Sequence, residues 1–389
     1  MDAPGTVGWW APMRAEASLP RLNAPADFLP PDEARAERFT LLDGGTEAYP
    51  RMLEAIASAK VRVHLEVYTF ERDAIGAQFL DALVAAARRG VAVKVVVDGW
   101  GSIGTSRYLT ETLTAAGAKV RVYNPLTSLC TGRSWRNHRK LLLVDDAVAF
   151  LGGINIGDAY AAQGDTPGWA DLALELRGDI CRQLGASLHA GASALESGAV
   201  KLFLSGFGGG HQLRKRYLQA IDGARHEVVL AHAYFLPDPG FVRALKRASR
   251  RGVKVRLMLA GRSDVMFARA ATMRLYRDFL RAGVSIHEWT ASTLHAKAAL
   301  VDGTKLLVGS FNLDPLSLVN LETLVEVEEP CVAAQAQRWL DKHLRCARRV
   351  FLEDCARSGL QQWLLDIVGL AVARFAERFA SFMGRRRKR

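Results

Sequence analysis

Two imidazoles and two ammonium groups recur at one spacing in this chain. Asn137-His138-Arg139-Lys140-Leu141-Leu142-Leu143-Val144-Asp145 is echoed by Leu294-His295-Ala296-Lys297-Ala298-Ala299-Leu300-Val301-Asp302. In each copy a Gly follows the Asp (Gly152, Gly309), and an Asn lies three residues beyond it (Asn155, Asn312). Such a set suits a phosphodiester. One His, kept neutral, can attack phosphorus while the other, protonated, gives a proton to the leaving oxygen. Lys140 and Lys297, with amide donors from Asn155 and Asn312, can neutralise the charge that builds on the phosphoryl oxygens, and no metal is called for. A single buried His is usually structural and a single Lys usually solvated. Recurrence of both at one spacing argues against that plainer reading.

The apolar run around each Lys reads as a buried strand. Successive strand residues alternate faces, so His138 and Lys140 point one way, as do His295 and Lys297. Asp145 and Asp302 belong to the repeated motif and are counted with its catalytic residues. They lie five residues beyond each Lys and face away, a position suited to bracing backbone rather than touching substrate.

At these residues the chain resembles the phospholipase D superfamily, whose two His-x-Lys-x4-Asp motifs build one active site between two similar halves. The flanks are similar to those of bacterial cardiolipin synthases in that superfamily: Gly152-Gly153-Ile154-Asn155-Ile156-Gly157-Asp158-Ala159-Tyr160 after the first copy and Gly309-Ser310-Phe311-Asn312-Leu313-Asp314-Pro315-Leu316-Ser317 after the second. The resemblance runs from about Leu41 to about Arg348. It implies His138 as nucleophile, His295 as general acid and later base, and a phosphohistidine intermediate. The reaction it implies moves a phosphatidyl group from phosphatidylglycerol to a second lipid; entry of water would give phosphatidic acid instead. It also implies an acidic residue about one strand downstream, holding the far ring nitrogen of each imidazole. Glu322, in Asn320-Leu321-Glu322, matches that place for His295, and Asp171, in Trp169-Ala170-Asp171, for His138. The chain departs from the family pattern at Ala170, where cardiolipin synthases usually have Arg. Gly153 stands where the second copy has Ser310, which removes one hydroxyl donor and makes the halves unequal.

The rest of the chain must position these groups. Its 389 residues, 49% hydrophobic, suffice for two domains with large cores and exclude general disorder. The expected fold is α/β: two similar phospholipase D-like halves with mixed sheets flanked by helices, related by pseudo-twofold symmetry, and a helical C-terminus. Residues 1–40 read as an irregular arm, 41–197 as the first half, 198–345 as the second, and 346–389 as an amphipathic helix with a basic tail. Strands are expected at Val61 to Phe70, Val91 to Asp98 and Val120 to Tyr123, with helices at Ala74 to Arg89 and Tyr108 to Ala116. The second half repeats them from Glu227 to Trp289, and Arg88-Arg89-Gly90-Val91 recurs as Arg250-Arg251-Gly252-Val253. A helix is expected at Cys181 to Leu195 and a loop at Gly206 to Gly210; Gly208-Gly209-Gly210 lacks the Lys-Ser/Thr that would make it a phosphate loop. Arg133, Trp135 and Arg136 lead into the first motif, either lining the cleft mouth for a second anionic headgroup or forming a solvated basic loop.

A net charge of +12 favours an acidic partner, nucleic acid or an anionic membrane surface. Five of those charges form Arg385-Arg386-Arg387-Lys388-Arg389, leaving the rest only mildly basic. A nuclease should carry broad basic stripes and aromatic stacking platforms. The concentrated charge, and the apolar stretch from Gln361 to Phe375, favour lipid, with a packed C-terminal helix as the alternative. An idle scaffold is disfavoured because all four His and Lys are present. Trp9-Trp10 could rest at a lipid interface or pack on the domain. Cys130, Cys181, Cys331, Cys346 and Cys355 show no paired spacing, which suits a reducing compartment and disfavours disulfides or zinc. No signal peptide and no run of about 18 apolar residues is found. The expectation is a peripheral protein on the cytoplasmic face of the cell membrane, with no cofactor, nucleic acid or obligate protein partner. Phosphatidylglycerol is its expected substrate, and phosphatidylethanolamine is left open as a donor.

Overall fold

The computed structural model describes residues 38–125, 127–128, 135–191, 193–262 and 266–356. Trp9-Trp10, Arg133 and the expected C-terminal helix with its basic run lie outside the described residues.

In the first half, β1 (Arg38–Asp43) and α1 (Gly44–Ser58) precede a parallel unit. It comprises β2 (Arg62–Val67), α2 (Ala74–Arg88), β3 (Ala92–Asp98), α3 (Ser106–Ala115) and β4 (Lys119–Tyr123). The first motif leads into β5 (Leu141–Val144), which continues antiparallel through β6 (Val148–Gly152) and β7 (Leu172–Arg177) before α4 (Asp179–Ala190). The strands form one mixed sheet in the order β1-β7-β6-β5-β2-β3-β4. Two helix starts follow the usual rule that a short acidic side chain satisfies the first free N–H groups. Asp73 accepts from Gly76 N before α2, and Asp238 accepts from Gly240 N before its counterpart in the second half.

The second half comprises β8 (Ala194–Ser197), β9 (Val200–Leu204), α5 (Gly210–Gly223), β10 (Glu227–His232), α6 (Pro239–Arg250), β11 (Lys254–Ala260), α7 (Met266–Arg281) and β12 (Ser285–Trp289). It continues with β13 (Lys297–Val301), β14 (Lys305–Gly309), β15 (Thr323–Val327), α8 (Pro330–Cys346) and β16 (Arg348–Val350). Its sheet order is β16-β12-β11-β10-β13-β14-β15-β9-β8. Read from β9 to β12 it matches the first sheet strand for strand, so the duplication in the sequence is a duplication of topology.

Two readings need correction. The helix expected from Cys181 to Leu195 ends at Ala190, and residues 194–197, assigned to the first half, instead form β8, which pairs with β9 in the second sheet. The chain is also not wholly helical after Pro330, because β16 adds an antiparallel edge to β12. Both pieces are short edge strands, whose period is too brief to register against neighbouring helix signals.

The inner faces of the two sheets share one apolar core. Leu141, Leu143, Leu151 and Leu174 from the first meet Val229, Ala298, Leu300 and Val325 from the second. Each outer face carries its own helices and core. Helix α8 crosses back onto β1: Gln335 Oε1 accepts from Leu41 N at 2.8 Å, and Trp339 Nε1 donates to Asp43 at 2.7 Å. No described helix is long and apolar enough to cross a membrane.

Candidate active site

His138 and Lys140 stand in the segment just before β5, whereas Lys297 opens β13 itself. The backbone of each motif is stitched to the other half. His138 N donates to Leu321 O at 2.9 Å, beside a parallel bridge between Asn137 and Leu321. His295 N donates to Ala170 O at 2.8 Å, beside a parallel bridge between Ala170 and Leu294. The residues that follow these anchors are Glu322 and Asp171, so each carboxylate meets the opposite half's imidazole. His138 Nδ1 lies 3.0 Å from Glu322 Oε2, and His295 Nδ1 lies 2.6 Å from Asp171 Oδ2.

This reverses the pairing expected from the sequence, which matched Glu322 to His295 and Asp171 to His138. The reason is strand spacing. Within one sheet β6 separates β5 from β7, and β14 separates β13 from β15, so each motif lies two strand spacings, roughly 10 Å, from its own half's carboxylate. That is too far for a hydrogen bond, and the apposed half supplies the acceptor.

The groups are almost wholly enclosed. Asp171 and Glu322 are fully buried, and Lys140, His295 and Lys297 are buried beside them. Burial pushes the Asp171 carboxyl up to about 7, against the pull of Lys297, the Leu172 N–H and Lys140. Burial likewise pushes Glu322 up to about 8, against Lys140 and the hydroxyls of Ser310 and Ser317. For His138, burial and then the Lys140 and Lys297 ammonium groups hold the imidazole well below its ordinary value, favouring the neutral ring. Lys140 is also driven well down by burial, with Glu322 opposing. Lys297 and Lys140 both act on His138, Asp171 and Glu322, so the residues of both motifs form one electrostatic cluster.

Aromatic rings wall the cluster. Tyr68 lies 5.1 Å from the His138 ring and 5.3 Å from Lys140 Nζ. Around His295 stand Tyr160 at 5.3 Å, Trp169 at 5.5 Å and Tyr234 at 6.2 Å. None of these rings was singled out from sequence. Tyr68 and Tyr234 carried a usable signal, since each follows the carboxyl end of a matching strand, β2 and β10.

The remaining expected site residues are placed as follows. Asp145 lies at the far end of β5 and accepts from Lys60 N, Val61 N and Arg62 N, each at 2.8 Å. Asp302 does the same at the end of β13 for Arg225, His226 and Glu227. Both are backbone clasps in the turns beyond the strands, the bracing position expected of them, reached past the strand's end and not by alternation of faces. Asn155 is committed at both ends of its amide: Nδ2 donates to Tyr160 Oη at 2.7 Å and Oδ1 accepts from Thr69 N at 3.1 Å. It therefore braces the wall, with one of its two Nδ2 hydrogens given to Tyr160. Asn312 is buried, with its backbone N–H on Ser317 Oγ and its Oδ1 without a partner. Ser310 Oγ donates to Glu322 at 2.5 Å and accepts from Thr323 N at 2.9 Å, so its hydroxyl orients the carboxylate. At the matching Gly153 a Cβ would stand 2.3 Å from Asp171 Oδ1, so the missing side chain makes room for the shorter acid. Ala170 uses its carbonyl for both His295 N and Ala296 N, and its side chain is buried in the shared core. Among the described residues no group of His, Cys, Asp and Glu is arranged to hold a metal ion.

Comparison with known proteins agrees with this geometry. The family model described as "Cardiolipin synthase, PLD-like domain" matches residues 52–164 and 217–344, once in each half. Cardiolipin synthase B of Escherichia coli K12 is 34% identical over 316 residues, covering 75% of this chain and 76% of that one. Cardiolipin synthase 1 of Bacillus cereus is 29% identical over 364 residues, covering 85% of this chain and 71% of the relative. Among solved structures, the phosphatidylserine synthase of Haemophilus influenzae shares the fold, with a TM-score of 0.69 at 14% identity over 88% of this chain and 93% of that one.

Proposed function

The chain belongs to the phospholipase D-like cardiolipin synthase family, and from that premise we propose that it transfers a phosphatidyl group between two phosphatidylglycerol molecules through a phosphohistidine. The observation that carries this reading is the crossed pairing: each imidazole has Nδ1 fixed on a buried carboxylate of the opposite half, which binds both motifs into one site. His138, held neutral by burial and two ammonium groups, is the nucleophile. Its Nε2 attacks phosphorus, the bond to the headgroup glycerol oxygen breaks, and that oxygen takes the proton of His295. Glycerol leaves. The glycerol hydroxyl of a second phosphatidylglycerol then gives its proton to His295, its oxygen attacks phosphorus, and the phosphorus–nitrogen bond breaks to release cardiolipin. Glu322 stabilises the imidazolium-like charge that builds on His138 in the first step. Lys140 and Lys297 face the phosphoryl oxygens. Phosphatidylethanolamine fits the same chemistry as a donor, and the site of action is the cytoplasmic face of the membrane, approached peripherally.

The test is purified protein mixed with phosphatidylglycerol vesicles, with products read by mass spectrometry. Cardiolipin and free glycerol are expected, together with a phosphatidyl adduct on the His138 peptide in rapidly quenched samples. His138→Ala should abolish both. Phosphatidic acid as the sole product would replace transfer by hydrolysis, and nucleic-acid cleavage without lipid turnover would reject the reading.

A further inference from the structure

Trp100, Ile103 and Tyr108 are large apolar side chains left in solvent, at 53%, 61% and 39% exposure. Scattered single exposures need no explanation, whereas a contiguous group beside a site does. These three follow β3, at the carboxyl end of the parallel strands where the motif residues stand. Asp98, the last residue of β3, ties that segment to the site. Its Oδ1 accepts from Trp100 N at 2.9 Å, and its Oδ2 accepts from Asn137 N at 2.8 Å, the residue before His138. Gly101 presses on Tyr68, where a Cβ would meet the carbonyl oxygen at 2.3 Å, and Tyr68 is the ring beside His138. From the other half, Leu316 is 49% exposed on the loop leading to Glu322. Asn320 Oδ1 on that loop accepts from Arg136 N at 2.9 Å, and the Arg136 guanidinium lies 5.6 Å from the Trp100 ring centre, supporting its inner side. Exposed apolar groups from both halves therefore flank the segments that lead into His138 and Glu322.

We propose that this rim is the surface that docks on an anionic phospholipid bilayer, with Trp100, Ile103 and Leu316 entering the interface. The proposal rests on the lipid-transfer reading, because a diacyl substrate stays in its bilayer and the opening over His138 and His295 must face it. The chemistry of the rim fits that occupant. Indole and phenol rings settle at the headgroup level, and Arg72, exposed and stacked 4.4 Å from the Tyr108 ring centre, supplies a cation for phosphate. Arg107 on the same helix is also exposed, with Glu111 as its partner.

The experiment compares the full chain with the paired change Trp100→Ala and Ile103→Ala, and separately with Leu316→Ser. Binding is read by co-sedimentation with vesicles of phosphatidylglycerol and phosphatidylethanolamine. Turnover is read on the same vesicles and on short-chain phosphatidylglycerol dispersed as monomers. The paired change should weaken vesicle binding and vesicle turnover by about tenfold or more, while turnover of monomeric substrate stays within about twofold. Leu316→Ser should act in the same direction. Val61→Ser removes an exposed apolar group at the opposite end of β2 and should change nothing. Unchanged vesicle binding in the rim variants overturns the proposal. So does equal loss on both substrate forms, which would make the segment a support of the cleft, or a changed oligomeric state by light scattering with vesicle binding intact. A wild-type protein that binds vesicles through Trp100 yet turns over no lipid would leave the rim standing and reject the transfer reading instead.

Discussion

An imidazole attacks phosphorus only when its ring is neutral and its second nitrogen is fixed, and Glu322 and Asp171 do the fixing across the duplication. Above pH 8, where Glu322 is ionised, Glu322→Gln should lower kcat by ~10²-fold or more with little change in KM, because the carboxylate acts on charge that develops in the transition state. The double change His138→Ala with Glu322→Gln should cost no more than His138→Ala alone, since the two act as one unit. An additive loss would break the crossed assignment. The same buried acids make stability depend on pH. Glu322 is raised from 4.5 to about 8 and Asp171 from 3.8 to about 7, so the folded chain holds their protons longer than the unfolded chain does. Their contribution is complete below the unfolded values and is lost as pH rises through about 7 to 8. His138, depressed by burial, runs the other way: its contribution is present above its unfolded value of 6.5 and is lost as pH falls. Thermal unfolding of the wild type should therefore weaken from neutral pH toward pH 9, and Glu322→Gln should flatten that alkaline decline. An identical slope in both proteins would place the titration elsewhere.

At the level of elements, the strands set which residues face the site and the turns decide whether they stay there. Asp145 and Asp302 occupy left-handed turn conformations, with φ of 51 in each, and clasp three backbone N–H groups apiece. Asp145→Ala should cost about 1–3 kcal/mol of stability by denaturant melting, while the folded fraction retains its kcat. A loss of kcat without loss of stability would return the residue to the catalytic set. The small residue that follows β6 or β14 is matched to its acid: Gly153 leaves room for Asp171, and Ser310 reaches Glu322. Gly153→Ser should displace the Asp171 carboxylate, lowering kcat by roughly tenfold or more and stability by about 1–3 kcal/mol. Ser310→Ala should cost only about 1 kcal/mol, the net value of one hydrogen bond.

At the scale of the molecule, neither half contains a complete site. Each lends a carboxylate to the other, and the apolar inner faces of both sheets share one core, to which α4 and α8 also contribute. Dividing the chain after Gly191, before β8, should give two fragments that are inactive alone and recover turnover when co-expressed. Activity in either fragment by itself would contradict the crossed site.

The sequence by itself determined the duplication, the α/β order, the strands around each Lys and the identity of the paired imidazoles and ammonium groups. Those properties follow from local patterns: short continuous apolar runs and a motif repeated whole. The bracing role expected for Asp145 and Asp302 agrees with their backbone clasps, although they stand in turns past the ends of β5 and β13 rather than on an opposite strand face. Only the tertiary structure decided which acid serves which imidazole. Downstream position along the chain suggested the acceptor within the same half, but a strand between motif and acid holds those groups about two strand spacings apart. The docking of the sheets brings the opposite acid into contact. The same docking set Tyr160 and Trp169 of the first half against His295 of the second. These are contacts between segments far apart in sequence, and no periodicity within a segment encodes its partner.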